Sequence, residues 1–214
     1  MPTTATPAQT VMDLLRDSTA DLHKAAETHP MQKSLVQGVL PVERYADYLE
    51  QLWIVHRALD KALAAAVERD ERLTGLDMAA SMHVRHLELD LGALGRDLGS
   101  VEPTRSAWDL AQTIERDGAT TPVLLAGHFY VLEGSMNGNA FIARAVGRVY
   151  ELKPNAGLAY LHSYGETQRP KWASFKERMN ALEFDPAERE GLVERAQGVF
   201  RAIKGIADEL DSRV

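Results

Sequence analysis

Residues 130–141 read YVLEGSMNGNAF and lie inside a longer apolar run whose spacing predicts one continuous helix. Each internal glycine costs a helix roughly 0.5–1 kcal/mol relative to alanine. Gly127, Gly134 and Gly138 nevertheless fall on one face of this helix, at steps of seven and four residues. Because glycine has no side chain, this face lets another body approach the helix backbone closely.

Two explanations fit the glycine face. In the first, the glycines allow two helices to pack tightly against each other. In the second, a flat ligand lies against the helix, with Asn137 beside it and Ser135 and Asn139 on either side. These polar groups and exposed backbone carbonyls could also hold water near such a ligand. The pattern alone does not choose between the two.

The rest of the chain also has the apolar spacing of helices. Such stripes cover about residues 11–28, 41–69, 76–98, 108–116, 122–150 and 170–182. A short helical piece is expected near Tyr160, and Asp185 and Pro186 are typical of the cap and first residue of a last helix. No segment alternates like a strand, and no linker divides the chain. The sequence predicts a disordered lead over residues 1–10 and an all-α, single-domain bundle over residues 11–214.

Composition limits the classes of partner. The 214 residues carry 24 basic and 31 acidic side chains, a net charge of -7, which disfavours nucleic acid and anionic membranes as partners. The absence of cysteine excludes disulfides, thiolate metal sites and cysteine nucleophiles, and it fits a cytoplasmic protein. The first ten residues, MPTTATPAQT, lack the features of a secretory signal. No apolar run reaches the roughly 18 uninterrupted residues of a membrane span.

The first predicted helix carries a second pattern. Arg16, His23 and Glu27 are spaced by seven and four residues, so they share a face that borders the apolar stripe. A histidine there could ligate iron through one ring nitrogen while Glu27 orients the other. Arg16 could pair with an anionic group. The alternative is a surface histidine with an acidic neighbour, which the short motif HKAAE taken alone favours.

These segments together resemble a known family. LLRDSTADLHKAAE (residues 14–27), a tyrosine-rich helix and then YVLEGSMNG are similar, in this order, to the haem (heme) oxygenase family. The similarity runs from about Leu14 to the last helix and is closest to the bacterial, biliverdin-forming branch often associated with bacteriophytochromes. It implies the oxidative cleavage of haem to biliverdin, carbon monoxide and ferrous iron, with haem as both cofactor and substrate. Dioxygen and an external electron donor, such as a ferredoxin or a reductase, would be required.

The resemblance also implies the contacts of the haem. His23 would be the proximal ligand of the iron, and Glu27 would orient it. Arg16 matches a basic position that contacts the haem propionates in the family, and Lys176 aligns plausibly with another.

On the distal side, Gly134 and Gly138 would let the helix lie close over the haem face. Ser135, Asn137, Asn139 or backbone carbonyls would hold the water that delivers a proton.

The sequence departs from the family pattern in three places. Asn139 stands where many relatives have a further glycine, which narrows the distal pocket. Ser135 stands where the mammalian type has an aspartate that organises distal water, which leaves the proton route open. Asn180 stands where some relatives have a propionate-contacting arginine, which leaves the meso carbon attacked open.

Other functions remain possible on these residues. A haem-binding or haem-storage protein without turnover is one alternative, and a non-haem enzyme of the same fold is another. His83 and His86, near Glu88 and Asp90, could also form a metal site, although a solvated helix face is the preferred interpretation. His56 is interpreted as a satisfied polar residue at the edge of the core.

Overall fold

The computed structural model describes residues 9–212, so most of the lead predicted for residues 1–10 lies outside it. Within this range the chain forms eight α-helices and no β-strand, and the all-α prediction is confirmed. The helices are α1 (Val11–Glu27), α2 (Pro30–Gln37), α3 (Val42–Ala66), α4 (Leu76–Ala93), α5 (Arg105–Thr120), α6 (Leu125–Val149), α7 (Gln168–Ala181) and α8 (Pro186–Asp211).

The helices surround one continuous core. Helix α3 packs against α4 and α5, while α8 packs against α1, α5 and α6. The fully buried Leu15, Leu49 and Leu192, from α1, α3 and α8, all belong to this core. Burying apolar surface is the main favourable contribution to folding, so a shared core makes the bundle one domain.

Side chains cap the two helices that form the ends of the described chain. The Thr10 hydroxyl accepts a hydrogen bond from the Asp13 N–H at the start of α1. At α8 the predicted cap is confirmed, because Asp185 and Glu188 form a reciprocal capping box with Pro186 at the first helical position.

Helix α2 is not predicted by the sequence, where the dipeptide His29–Pro30 is interpreted only as a stop. In the structure His29 Nδ1 accepts a hydrogen bond from the Met31 N–H, and Pro30 begins the helix. Proline suits the first turn of a helix because its missing N–H would have no partner there. Gly38 ends α2 with a φ of +69°, a left-handed conformation that favours glycine.

Other boundaries also differ from the prediction. Helix α4 stops at Ala93 because Gly95 adopts a φ of +72° and the Arg96 N–H returns to the Leu91 carbonyl. The short helix expected near Tyr160 is wrong, since that part of the chain forms consecutive turns.

Helix α6 is the glycine-bearing helix, and it is held near both ends. Near its start, a Cβ added to Gly127 would lie 2.6 Å from the Leu192 carbonyl oxygen, so α6 touches the α8 backbone. At its end, a Cβ added to Gly38 would lie 2.5 Å from a methyl carbon of Val149, so the end of α2 lies against α6. The first explanation of the glycine face, tight packing, therefore applies to Gly127.

A buried ion pair also anchors α6. The Asp117 carboxylate of α5 lies 2.8 Å from His128 Nε2 on α6 and accepts a hydrogen bond from Arg195 Nε on α8 at 2.6 Å. Burial lowers the pKa of His128. This contact turns His128 toward α5.

Candidate active site

A cavity of about 550 Å³ lies between α1 and α6. Its volume is within the range of roughly 300–1,000 Å³ that is usual for small-molecule sites. Helices α2, α3 and α8 and the turns after α6 complete its wall. The side chains that line it are largely apolar or aromatic, and they include Leu35, Val36, Tyr45, Tyr48, Leu49, Leu52, Val131, Leu132, Phe141, Ile142, Tyr160, Leu161, Phe200 and Ile203.

Helix α1 contributes His23 and Glu27 to the cavity wall. The His23 side chain is 58% exposed, and its Nδ1 lies 3.6 Å from Glu27 Oε1. Its ring meets the ring of Phe200 edge-on, with centroids 5.6 Å apart. No hydrogen bond to His23 Nε2 occurs within residues 9–212. One ring nitrogen therefore faces a carboxylate while the other is available to a ligand.

The two central glycines of α6 have different surroundings. A Cβ added to Gly138 would meet nothing within 4 Å, whereas one added to Gly134 would lie 3.2 Å from the Trp172 ring. Both residues line the cavity. Gly138 therefore has no packing reason to be glycine, and it favours the second explanation, a ligand lying against the helix. Gly134 both lines the cavity and packs closely against the Trp172 indole.

The three predicted polar residues of α6 also line the cavity. The Ser135 hydroxyl donates to the Leu132 carbonyl at 2.7 Å. The Asn137 amide donates to the Gly134 carbonyl at 2.9 Å, and the Asn139 amide is buried against Met136 Sδ. These bonds hold the side chains against their own helix, and Asn137 Oδ1 also accepts a hydrogen bond from Gln168 Nε2 at 3.4 Å.

Tyr160 enters the cavity wall from the turns after α6, and Asp90 of α4 places it there. The buried Asp90 carboxylate accepts hydrogen bonds from the backbone N–H groups of Gly157, Ala159 and Tyr160 at 2.7–2.9 Å. The Tyr45 hydroxyl donates to the Gly157 carbonyl from the opposite side. Sequence reasoning missed both Asp90 and Tyr160, because only long-range contacts show their roles.

The two residues predicted to bind propionates do not line the cavity. Arg16 is 66% exposed and pairs with Asp13 and Asp17 on its own helix. Lys176 is exposed on α7. Their contact with a propionate stays a prediction.

Asn180, at the position of an arginine in some relatives, has a structural partner here. Its side-chain oxygen accepts a hydrogen bond from the Met12 N–H at 3.1 Å, which ties α7 to the first turn of α1.

The solvated helix face predicted for residues 83–90 is wrong for His83 and Asp90, which are buried. His83 Nε2 lies 3.0 Å from the buried Glu133 carboxylate of α6. Over the described residues, no group of three or more histidine or acidic side chains could hold a metal ion. His56 is likewise fully buried rather than at the core edge, and its Nδ1 has no hydrogen-bond partner.

Comparison with known proteins gives one consistent family. The family model described as "Heme oxygenase" matches residues 9–209. Heme oxygenase 1 from Gallus gallus is 23% identical over 204 residues, which cover 90% of this chain and 67% of that protein. The chain thus spans about two thirds of that relative.

Solved structures agree on the fold. The heme complex of heme oxygenase-1 from the cyanobacterium Synechocystis is 21% identical, with a TM-score of 0.84, over 95% of this chain and 93% of that chain. A TenA homologue from P. horikoshii is 16% identical with a TM-score of 0.71, over 94% of this chain and 98% of that chain. The fold is therefore shared by proteins of differing names.

Proposed function

Since the chain belongs to the haem oxygenase family, we propose that it binds haem in the cavity between α1 and α6 and cleaves it oxidatively. The product would be biliverdin, released with carbon monoxide and ferrous iron. The observation that carries this proposal is that His23 and Gly138 line the same cavity. His23 offers a ring nitrogen that is free to bind a metal, and Gly138 offers helix backbone with open space beside it.

The residues present fit a haem. A porphyrin is flat and apolar with two carboxylates at one edge, and the cavity is lined mostly by apolar and aromatic side chains. His23 would bind the iron, and Glu27 would accept a hydrogen bond from the ring N–H and so raise the basicity of the ligand. When bound, the haem would supply the iron that activates dioxygen and the ring that is cleaved.

The chain's own residues would control access and protons. The bare backbone at Gly138 would bring α6 close to one face of the ligand, and the apolar wall would exclude bulk water. The oxygens of Ser135, Asn137 and Asn139 would hold the remaining water on this side. Electrons would come from a separate protein such as a ferredoxin or a reductase, because the chain has no cysteine for an iron–sulfur cluster.

Two finer features remain predictions. They are the link to bacteriophytochromes and the location in the cytoplasm. Among residues 9–212, no helix has both the length and the apolarity to cross a membrane.

A haem titration followed by reductant tests the proposed function. We expect one haem to bind per chain with a histidine-ligated spectrum, and bilin absorbance to grow after ascorbate or a ferredoxin system is added. Tight binding without bilin would indicate a haem-storage protein. No binding at all would favour a non-haem enzyme of the same fold.

A second prediction concerns the propionates. This acidic protein needs local positive charge near the cavity, and Arg16 and Lys176 are the candidates named by the resemblance. Reversing the charge of either should weaken haem binding about 1.4- to 5-fold, or change the isomer ratio, because solvent-exposed charge pairs contribute roughly 0.2–1 kcal/mol each.

Lys204 on α8 is a suitable control, because it pairs with Asp208 of its own helix and does not line the cavity. Lys204→Glu should leave haem affinity unchanged. Unchanged affinity and isomers in both Arg16→Glu and Lys176→Glu would place the propionates elsewhere.

A further inference from the structure

A second pocket of about 170 Å³ borders a different face of α6. Phe129 and Glu133, one turn apart on α6, face it, and neither lines the large cavity. Its other residues include the exposed Lys171 and Ser174 of α7, so solvent reaches its rim. The pocket therefore gives water a way to the otherwise buried Glu133.

Glu133 is the outermost member of a buried polar cluster. Its carboxylate accepts a hydrogen bond from the Tyr164 hydroxyl at 3.1 Å and lies 3.0 Å from His83 Nε2. A carboxylate and an imidazole at this distance can hold one shared proton on either partner. His83 Nδ1 in turn lies 3.3 Å from the Ser163 hydroxyl. Neither Glu133 nor His83 lines the large cavity.

A second buried pair reaches the large cavity. His56 Nε2 lies 2.9 Å from the hydroxyl of Tyr160, which lines the cavity. His56 Nδ1 is buried without a partner, so the proton belongs on Nε2, where it can be donated to Tyr160. The Tyr160 hydroxyl then keeps its own proton to donate into the cavity, which Ser135 also lines. Burial raises the pKa of Tyr160.

The two pairs touch through their rings. The His56 and His83 centroids are 5.4 Å apart, and the Tyr160 ring lies 5.9 Å from that of His83. His56 Nδ1 is one of three buried side-chain nitrogens without a hydrogen-bond partner among the described residues, and the other two are His128 Nδ1 and Arg178 Nε. The free His56 Nδ1, beside His83, is placed to accept a proton.

We propose that Glu133, His83, His56 and Tyr160 form a path that carries protons from the second pocket to the distal side of the large cavity. The inference rests on the proposed function, which consumes protons there.

Each transfer conserves protons and moves no electrons. Glu133 passes a proton from the second pocket to His83, and His83 passes one to Nδ1 of His56. The His56 ring, now protonated on both nitrogens, gives its Nε2 proton to Tyr160 Oη while Tyr160 passes its own proton toward Ser135 and the cavity water. A change of tautomer then returns His56 to its starting state. The step from His83 to His56 has no hydrogen bond among the described residues, so it requires movement of one of the two rings, whose centroids are 5.4 Å apart.

Tyr160→Phe tests the cavity end of the path, because it removes the hydroxyl and keeps the ring. We expect haem affinity and the histidine-ligated spectrum to be unchanged. With carbon monoxide bound to the reduced haem complex, the infrared C–O stretch should rise, because a distal hydrogen-bond donor is lost. Bilin formation with ascorbate should slow roughly 100- to 10,000-fold, as expected when a proton-transfer group is removed.

Glu133→Gln tests the other end. The amide has the shape of the carboxyl group but does not take up and release protons, and Glu133 does not line the cavity. We expect an unchanged C–O stretch, slower bilin formation and a larger solvent deuterium isotope effect on its rate. Tyr150→Phe is the matched control for Tyr160→Phe, since it also removes a tyrosine hydroxyl, and this hydroxyl bonds to the Leu40 carbonyl outside the path.

The infrared measurement separates this proposal from the proposed function. If the parent protein makes no bilin, the function fails, and the C–O stretch of Tyr160→Phe still decides whether Tyr160 donates into the cavity. A parent-like stretch and a parent-like rate in Tyr160→Phe would overturn the path, as would a parent-like rate and isotope effect in Glu133→Gln. Should Tyr160→Phe not fold, His56→Gln carries the same expectation of slower turnover, because an amide cannot change tautomer.

Discussion

His23→Ala is expected to abolish haem turnover and the histidine-ligated spectrum. His23 is the one histidine that lines the cavity within the described residues, and its Nε2 has no competing hydrogen bond there. Removing it leaves the iron without a protein ligand, while the exposed position means that little packing is lost. We therefore expect a parent-like melting temperature, weaker haem binding and no bilin.

Added imidazole provides the positive arm of this experiment, because it can occupy the space left by the side chain and restore the spectrum in part. His162→Ala is the control, since His162 is also exposed but lies outside the cavity lining. A His23→Ala protein with the parent spectrum and normal turnover would contradict the assignment of the ligand.

The second large effect is expected from one added methyl group. Gly138→Ala places it in open space on the cavity wall, so nothing opposes it sterically in the ligand-free protein. Alanine also favours the helix by about 0.8–1 kcal/mol over glycine. We expect a fold at least as stable as the parent, while the methyl group displaces the ligand or distal water and lowers bilin yield about 10- to 100-fold.

Gly127→Ala is the matched comparison on the same helix. Its methyl carbon would come within 2.6 Å of the Leu192 carbonyl oxygen, so α6 and α8 must separate. We expect a loss of roughly 1–3 kcal/mol in the free energy of unfolding, as for other overpacked sites. The protein that remains folded should make bilin at close to the parent rate.

Melting temperature and bilin yield, measured together on both variants, distinguish the roles of the two glycines. A Gly138→Ala protein that melts much lower than the parent, yet makes bilin at the parent rate where folded, would show that Gly138 serves packing alone.

The sequence predicted the fold and the two helices that bear the site because their signals are local. The glycine spacing of α6 and the motif of α1 each depend on residues within a few turns. Helix α2 was missed because Pro30 was interpreted as a terminator, although proline is equally suited to a first turn.

What the sequence could not show depends on distant residues. Tyr160 reaches the cavity only because Asp90, far away in the chain, fixes the backbone around it. The burial of His83 and His56 follows from packing among helices, and a local pattern does not reveal it. For Arg16 the relevant contacts are local, because its guanidinium already forms ion pairs with Asp13 and Asp17 on the same helix.

Helix α6 is held by neighbouring helices near both of its ends. Gly127 touches α8 near one end, Gly134 packs against Trp172 and Val149 meets the end of α2 at the other end, while the space beside Gly138 is open. A helix held near both ends bends most easily between them, and Gly138 makes bending easier in that part of α6. The cavity would therefore widen or narrow through flexing of the middle of one helix with both ends fixed, so a bulky flat molecule could enter and leave without the bundle coming apart.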